Sequence, residues 1–162
     1  MAHGAVGELE REAQELAALV RGRFEAHGLA ILATLRRDGS PRVSGIEPLF
    51  AAGDLWLGMM PDSLKVADLR RDPRLALHGA TVDKEVTEGD AKIGGRAVEI
   101  DDPATFDVFR REFAARTGYE PPPPFDLFRV DVVDVSLLRP AGDHLTIDSW
   151  REGRGVRRVE RR

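Results

Sequence analysis

Short apolar segments separated by turn signals recur along the chain, and this alternation constrains the fold more than any other feature. The segments span residues 29–35, 41–50, 55–60, 74–80, 91–100, 128–138 and 143–150. Turn signals such as Asp38-Gly39 and Ala141-Gly142 separate several of them. Short turns join antiparallel neighbours, whereas parallel strands need a crossover of a dozen or more residues. The pattern therefore predicts a mainly β fold in which six to seven antiparallel strands form a small barrel.

Two local signals modify this strand pattern. Pro48 lacks a backbone N–H, so it should end strand pairing within residues 41–50 or place that part at a sheet edge. The adjacent glycines Gly94 and Gly95 interrupt residues 91–100 and indicate a bulge or a close backbone approach.

Three stretches show helical rather than strand periodicity. In residues 1–28 apolar side chains recur at steps of three and four, and Gly28 provides a C-cap signal. A shorter helix is predicted after Ser63. A third begins at Asp102-Pro103 and carries phenylalanines at helical spacing, which are more typical of a core than of a cofactor site. About three helices should therefore surround the barrel.

Composition limits the class of protein. With 162 residues, of which 42% are hydrophobic and 32% charged, the chain is predicted to be one domain spanning residues 1–162. A formal charge of −4 is too small to indicate a nucleic-acid or membrane partner, although residues 150–162 form a basic C-terminal tail. The absence of cysteine excludes disulfides and thiolate chemistry. With no apolar leader or membrane-length segment, these features predict a cytoplasmic protein.

Residues 63–65 follow an apolar strand and a Pro61-Asp62 break, and they open the short helix. We call them the 63–65 turn. The first turn of a helix has unpaired N–H groups and the positive end of the dipole, and here a serine hydroxyl and a lysine ammonium lie beside it. The turn therefore predicts an anion site suited to a phosphate. The simpler interpretation is that Ser63 or Asp62 only caps the helix while Lys65 points at water.

The histidines do not form a recognisable metal motif. His78 lies in a predicted strand with no second histidine at metal-ligand spacing, so it is more typical of a structural residue. No metal site is predicted.

Four segments in this order resemble the flavin-binding split-barrel family typified by pyridoxamine 5′-phosphate oxidase. They are LATLRRDGSPRVSGI, LWLGMMPDSLKVADLRRDPRLAL, GGRAVEI and SWREGRGVRRVERR. The resemblance implies a split β-barrel with Greek-key-like connections and a homodimer. It also implies that an FMN phosphate lies at Ser63 and Lys65, with the flavin ring in a groove between subunits.

The resemblance also assigns cofactor-binding residues. On the second strand it implies Arg42 near the phosphate, with Val43 and Ser44 passing the ring. At and beside the turn it implies Met59, Ser63, Leu64 and Lys65, where Leu64 replaces a basic residue and makes the anion site less charged. Lys92 stands near the position of the family's glutamine. Trp150, Arg157 and Arg161 resemble its terminal tryptophan and arginines.

The implied activity is hydride transfer between FMN and an unidentified small organic substrate. Flavin chemistry requires the protein mainly to position the cofactor and does not require a nucleophile or a catalytic triad, so no catalytic residue is assigned. The alternative is a non-catalytic flavin- or haem-binding module, with His78 or His144 as an axial ligand. A true pyridoxamine 5′-phosphate oxidase is not expected. The helix at residues 106–116 lacks the tyrosine and serine that hold the substrate phosphate in those enzymes, and Arg110 and Arg116 alone do not make that site.

The deazaflavin coenzyme F420 is the alternative to FMN. Usage of 21 Arg against 3 Lys indicates a GC-rich genome of the kind in which this coenzyme is common. Its oligoglutamate tail needs a basic groove, which Arg21, Arg23, Arg36 and Arg37 could form if the first helix folds over the first hairpin. Acidic residues near the N-terminus oppose this, so FMN is preferred.

Overall fold

The computed structural model describes residues 5–162 and shows a mainly β domain. Its helices are α1 (Ala5–Glu12), α2 (Gln14–His27), α3 (Leu64–Arg71) and α4 (Pro103–Thr117). Its strands are β1 (Ala30–Leu35), β2 (Pro41–Ile46), β3 (Pro48–Ala51), β4 (Asp54–Met59), β5 (Arg74–Gly79), β6 (Asp90–Ile100), β7 (Asp126–Ala141), β8 (His144–Arg151) and β9 (Gly155–Arg161). The predicted fold class is confirmed. Within the described chain there are nine strands and four helices, instead of the predicted six to seven strands and about three helices.

The strands form one antiparallel sheet built around the long strand β7. The order is β2-β1-β5-β6-β7-β4-β3, and β8 and β9 continue from the second half of β7. A register shift between Gly94 and Gly95 confirms the predicted bulge in β6. A Cβ at Gly94 would lie 2.7 Å from the Asp134 carboxylate, and one at Gly95 would lie 2.7 Å from the Asp131 carbonyl. The two glycines therefore let β6 lie close against β7.

Residues 41–50 are divided into β2 and β3, which confirms the predicted effect of Pro48 on strand pairing. Strand β2 pairs with β1 as far as Ile46, and β3 starts at Pro48 opposite Leu57 of β4. The reason is the missing N–H of Pro48, because a residue that cannot donate to the ladder marks a change of partner. Glu47 lies exposed at this crossing point.

The predicted N-terminal helix is two helices, and its residues 1–4 lie outside the described chain. The chain breaks at Ala13, whose φ and ψ are −146° and 53°. The break allows α1 to pack on β4 and β7 while α2 packs on β3, β6 and β7. The apolar stripe is confirmed as the core face, with Leu16, Val20 and Phe24 buried.

Residues 150–162, expected as a basic tail, complete β8 and form β9. Gly153 and Gly155 adopt positive φ values of 70° and 68°, which suit the tight turn that returns the chain along β8. Strand β9 pairs with β8 from Gly155 to Arg161. The basic side chains are therefore held on an edge strand.

Two apolar clusters hold the structure together. The larger fills the barrel and is completed by the first two helices, while the smaller lies under α4. Phe109 and Phe113 are buried in the smaller cluster, as their helical spacing predicted. No helix in residues 5–162 is both long and apolar enough to cross a membrane.

Candidate functional site

An open groove of about 460 Å³ lies where β1 begins, β2 and β4 end, and α3 starts. Ile31, Gly45 and Ile46 contribute one side, and Met59, Met60 and Lys65 contribute the other. Met59 is almost fully buried, whereas Met60 is 78% exposed. The groove therefore has a largely apolar surface, with Lys65 and Glu47 as its two charged lining residues.

Ser63 occupies the N-cap position of α3 without acting as a side-chain cap. Its φ and ψ are −66° and 155°, and its side chain makes no capping hydrogen bond. The Ser63 Oγ is buried and has no hydrogen-bond partner within residues 5–162. Asp62 has a positive φ of 55°, and its N–H donates to Asp126 Oδ2 at 3.3 Å. A buried hydroxyl without a partner is costly in a native fold, so it indicates a ligand position.

Lys65 provides the positive charge beside this hydroxyl. Its Nζ donates to the Gly45 carbonyl at 3.3 Å, and in the described part of the chain it forms no ion pair with a carboxylate. Burial lowers the pKa of Lys65, because desolvation disfavours the charged form. An anion at the 63–65 turn would offset this penalty. Ser63 and Lys65 therefore fit a phosphate group, while the exposed Leu64 adds no charge.

Asp68, one turn further along α3, is a buried carboxylate that the sequence analysis missed. Arg42 Nε donates to its Oδ2 at 2.7 Å, Thr34 Oγ1 donates to the same oxygen at 2.8 Å, and Arg71 Nη2 donates to Oδ1 at 3.0 Å. Burial raises the pKa of Asp68. The hydrogen bonds from Arg42, Thr34 and Arg71 outweigh burial and bring this pKa below its usual value. The sequence offered one signal for this buried carboxylate, because Asp68 lies in α3 between Val66 and Leu69, which are both buried.

The ion pair with Asp68 changes the role expected for Arg42. Its guanidinium is largely buried and partly neutralised by the carboxylate, so it is not a fully available phosphate ligand. Side chains alternate along β2, so that Val43 and Gly45 are exposed while Arg42 and Ser44 are half-buried. Val43 is 69% exposed on the outer face of the sheet.

The remaining predicted residues lie progressively further from the 63–65 turn. Cross-strand pairs join Ile31, His78, Lys92, Ser136, Ser149 and Arg157 in one transverse row. Lys92 lies two strands from Ile31. Arg157 lies five strands from Ile31, which is about 24 Å along the sheet at about 4.8 Å per strand. Arg161 lies on the same edge strand as Arg157. One chain therefore does not bring Arg157 and Arg161 to its own groove.

Trp150 belongs to a different row, which points into the barrel. It pairs with Val135, which pairs with Ile93, and the row continues through Leu77 to Leu32. Trp150 is 1% exposed, and its Nε1 donates to Glu12 Oε2 at 2.7 Å. In this structure the indole anchors the end of α1 to β8.

The basic rim suggested for a deazaflavin tail does not form. Arg21 pairs with Glu25 at 2.8 Å, and Arg23 pairs with Glu88 at 3.5 Å near the start of β6. Arg36 and Arg37 follow the C-terminal end of β1, whereas α2 precedes its N-terminal end. The six residues of β1 separate these two ends by about 20 Å. Helix α2, which carries Arg21 and Arg23, packs on β3, β6 and β7 and does not bring them to Arg36 and Arg37.

The two candidate axial histidines each contact acidic or carbonyl groups. His78 Nδ1 lies 2.7 Å from the Gly79 carbonyl, and its Nε2 lies 4.0 Å from Asp90 Oδ2. His144 lies between Asp143 and Glu160, at 3.0 and 4.0 Å. Among residues 5–162 no three His, Asp or Glu side chains come together in a metal-binding arrangement.

The chain has a recognisable family among known proteins. The sequence model of the family described as pyridoxamine 5′-phosphate oxidase matches residues 15–139. The chain belongs to this family. The match includes β1, β2, β4 and the 63–65 turn, and it therefore spans the elements around the groove. No curated protein matches the chain.

Solved structures share the fold of this family member at low sequence identity. PhzG from Burkholderia lata 383, in complex with tetrahydrophenazine-1-carboxylic acid, is 14% identical with a TM-score of 0.65, covering 98% of this chain and 92% of PhzG. ChuZ from Campylobacter jejuni is 15% identical with a TM-score of 0.71, and the match covers 95% of this chain and 66% of ChuZ. A haem-binding protein from Mycobacterium smegmatis is 14% identical with a TM-score of 0.58, and the match covers 89% of this chain and 87% of that protein. These likenesses establish the fold alone.

Proposed function

We propose that this chain is a flavin-dependent oxidoreductase that binds the phosphate of FMN at the 63–65 turn. The observation that carries the proposal is the buried Ser63 Oγ, which has no hydrogen-bond partner in the described chain, two residues before Lys65, whose ammonium forms no ion pair there. A bound flavin would supply hydride transfer to or from a small organic substrate. The role of the protein is to hold the cofactor and exclude water around it.

The 63–65 turn, helix α3 and strand β2 divide this role between them. The Ser63 hydroxyl donates to a phosphate oxygen, Lys65 neutralises the phosphate charge, and the N-terminus of α3 supplies backbone N–H groups. The outer face of β2 would present Val43 and Gly45 to the flavin ring, and Ser44 lies between them in the strand. Asp68 keeps Arg42 in place and holds the helix against β1 and β2 through its hydrogen bonds.

The second part of the proposal is a homodimer in which a second copy completes the groove. Arg157 and Arg161 are exposed and too far along the sheet to reach Lys65 of the same chain. The outer face near the groove exposes Val43 and Ile31, at 69% and 49%, which suits burial against another copy. A partner subunit would bring its arginine-bearing edge strand over the exposed groove, and Lys92 lies between the two regions.

FMN remains preferred to F420, since Arg21 and Arg23 are paired with glutamates and do not form a basic groove. Pyridoxamine phosphate is not the proposed substrate. Arg110 is paired with Glu120 at 2.5 Å and Arg116 with Glu25 at 3.0 Å, so neither is left as a phosphate ligand.

A non-catalytic haem-binding module is the second candidate. The observation that favours it is His78, which is half-buried and has Asp90 near its Nε2. A carboxylate near the ring is a common second partner of a metal-bound histidine. The haem-binding neighbour from Mycobacterium smegmatis shows that this fold is compatible with that role in another protein.

Titration of apoprotein with FMN, followed by flavin fluorescence, tests the phosphate site. Lys65→Ala should weaken FMN binding about ten- to hundredfold, because a charge-assisted hydrogen bond contributes about 1.5–3 kcal/mol. Lys84→Ala is the matched control, since Lys84 is exposed and pairs only with its neighbour Glu85 within the described chain. Unchanged FMN affinity in Lys65→Ala would overturn the site.

The cofactor and the activity are tested on the purified protein. A flavin spectrum that bleaches with a nicotinamide donor and recovers with an added quinone supports the oxidoreductase. A Soret band that disappears in His78→Ala supports the haem module instead. A parallel titration with F420 settles the choice of flavin.

A further inference from the structure

A second cavity of about 430 Å³ lies directly beside the groove, beneath α4 and the connector that follows it. The cavity and the groove share Glu47, Gly58, Met59 and Met60. A molecule in this cavity would therefore touch a molecule in the groove. We call it the α4 cavity.

The walls of the α4 cavity are apolar and conformationally stiff. Phe109 and Phe113 project from α4, Phe125 lies at the end of the connector, and Pro121, Pro122 and Pro124 form its outer side. The ring centroids of Phe109 and Phe125 are 5.6 Å apart, and those of Phe109 and Phe113 are 5.5 Å apart. Aromatic and proline walls lose little conformational entropy when they receive a rigid ligand.

Gly58 sets the shape of the inner wall. A Cβ at this position would lie 2.8 Å from Phe109 Cζ, which is closer than any real contact of that kind. Without a side chain at residue 58, the Phe109 ring packs directly on the backbone of β4. The tip of the Phe109 ring therefore fills the space beside Gly58 and forms part of this wall.

The charges around the α4 cavity disfavour an anionic ligand. Among its lining residues, all within the described chain, Glu47 is the one acid, and there is no lysine, arginine or histidine. Of the three arginines of α4, Arg110 pairs with Glu120, Arg116 pairs with Glu25, and Arg111 is exposed and does not line the cavity. Tyr119, which is 58% exposed, adds a phenol at the mouth.

We infer that the α4 cavity binds a neutral, flat, apolar ring compound. Its volume lies within the range of about 300–1,000 Å³ typical of small-molecule sites. This assignment of a substrate class rests on the proposed function, because the shared residues would place such a ring next to a flavin in the groove. Phosphorylated and carboxylated substrates are disfavoured, since Glu47 would repel them and no cation would pair with them.

The test is calorimetric titration of the protein, with and without FMN, using two quinones of similar size. Menadione is neutral and flat, and naphthoquinone sulfonate carries a fixed negative charge. The chain has no cysteine that could form a thiol adduct with either probe. Menadione should bind at least tenfold more tightly than the sulfonate. Equal affinities would overturn the inference.

Variants at exposed prolines locate the binding. Pro122→Trp places an indole at the outer wall and should weaken menadione binding at least tenfold. Pro140→Trp is the matched control, because Pro140 is also exposed but lies near the β7–β8 turn. Pro122→Arg should shift the preference towards the sulfonate by supplying the missing cation. Equal losses in the two tryptophan variants, or no shift in the arginine variant, would contradict the assignment.

The same titrations separate this inference from the proposed function. If FMN does not bind but menadione binds and responds to Pro122→Trp, the proposed function fails and the α4 cavity stands. If FMN binds and Lys65→Ala weakens it, while menadione binding is absent, the proposed function stands and the cavity assignment fails.

Discussion

Asp68 and Asp148 are each buried between two arginines, but the arginines around Asp148 are more exposed to solvent than those around Asp68. Asp68 is bound by Arg42 and Arg71, whose side chains are 19% and 34% exposed, and by the buried Thr34 hydroxyl. Asp148 is bound by Arg139 and Arg158, which are 34% and 63% exposed. The hydrogen bond from Arg158 is the main cause of the lowered pKa of Asp148. The first cluster is part of the interior, and the second is closer to solvent.

The difference shows how the chain distributes its positive charge. Near the groove, Arg42 and Arg71 are both engaged by Asp68, so Ser63 and Lys65 are left to receive an anion. On the β8–β9 hairpin, Arg157 and Arg161 are exposed and form no ion pair with described residues. The 63–65 turn is therefore formed within one chain, whereas in the proposed homodimer the hairpin arginines would act on a cofactor held by the partner subunit.

The largest expected effect is the loss of the Asp68 carboxylate. Asp68→Ala should lower the free energy of unfolding by about 3 kcal/mol or more, because it leaves Arg42 as a largely buried charge without a partner. Asp148→Ala should cost about 1 kcal/mol, since water can solvate the more exposed Arg158. Urea denaturation followed by circular dichroism measures both variants. Equal losses would show that the two clusters do not differ in the way described here.

The pH dependence of stability sharpens the same comparison. Since the folded pKa of Asp68 lies below its ordinary value of 3.8, its ionised form stabilises the fold above that pH. The contribution is lost as the pH falls through the lower folded value. The stability difference between the wild type and Asp68→Asn should therefore stay constant from about pH 7 to 5 and shrink below about pH 4. A constant difference down to pH 3 would contradict the depressed pKa.

The smallest expected effect concerns Trp150 and its partner. Glu12→Ala removes the acceptor of the buried indole N–H and should cost about 1 kcal/mol of stability while leaving FMN affinity unchanged. Glu10→Ala, on an exposed position of the same helix, is the control and should change neither quantity. A loss of FMN affinity at unchanged stability would place Trp150 in the cofactor site instead.

Several structural features could be predicted because their causes are local. The alternation of short apolar segments and turns led to the mainly β fold, and the Gly94-Gly95 pair predicted the bulge. The helical spacing of Phe109 and Phe113 identified them as core residues. The resemblance of the ordered motifs led to the family that the sequence model confirms.

The errors arose where a local pattern allowed more than one outcome. The apolar stripe of residues 1–28 fits one helix or two, and only packing on the curved sheet selects the break at Ala13. Residues 150–162 read as a charged tail, because arginine-rich strands lack apolar alternation. They form β9 because β8 offers an edge with unpaired backbone groups.

By itself, the sequence determined the order of the strands along the chain, the helix N-terminus at Ser63 and the placing of Lys65 beside it. These follow from periodicity, turn residues and capping, which act over a few neighbouring residues. Only the tertiary structure decided that Asp68 engages Arg42, that Trp150 points into the barrel and that Arg157 lies five strands from the groove. Those outcomes depend on strand register and on which segments meet after the chain reverses, because charges and side chains interact through space rather than along the sequence.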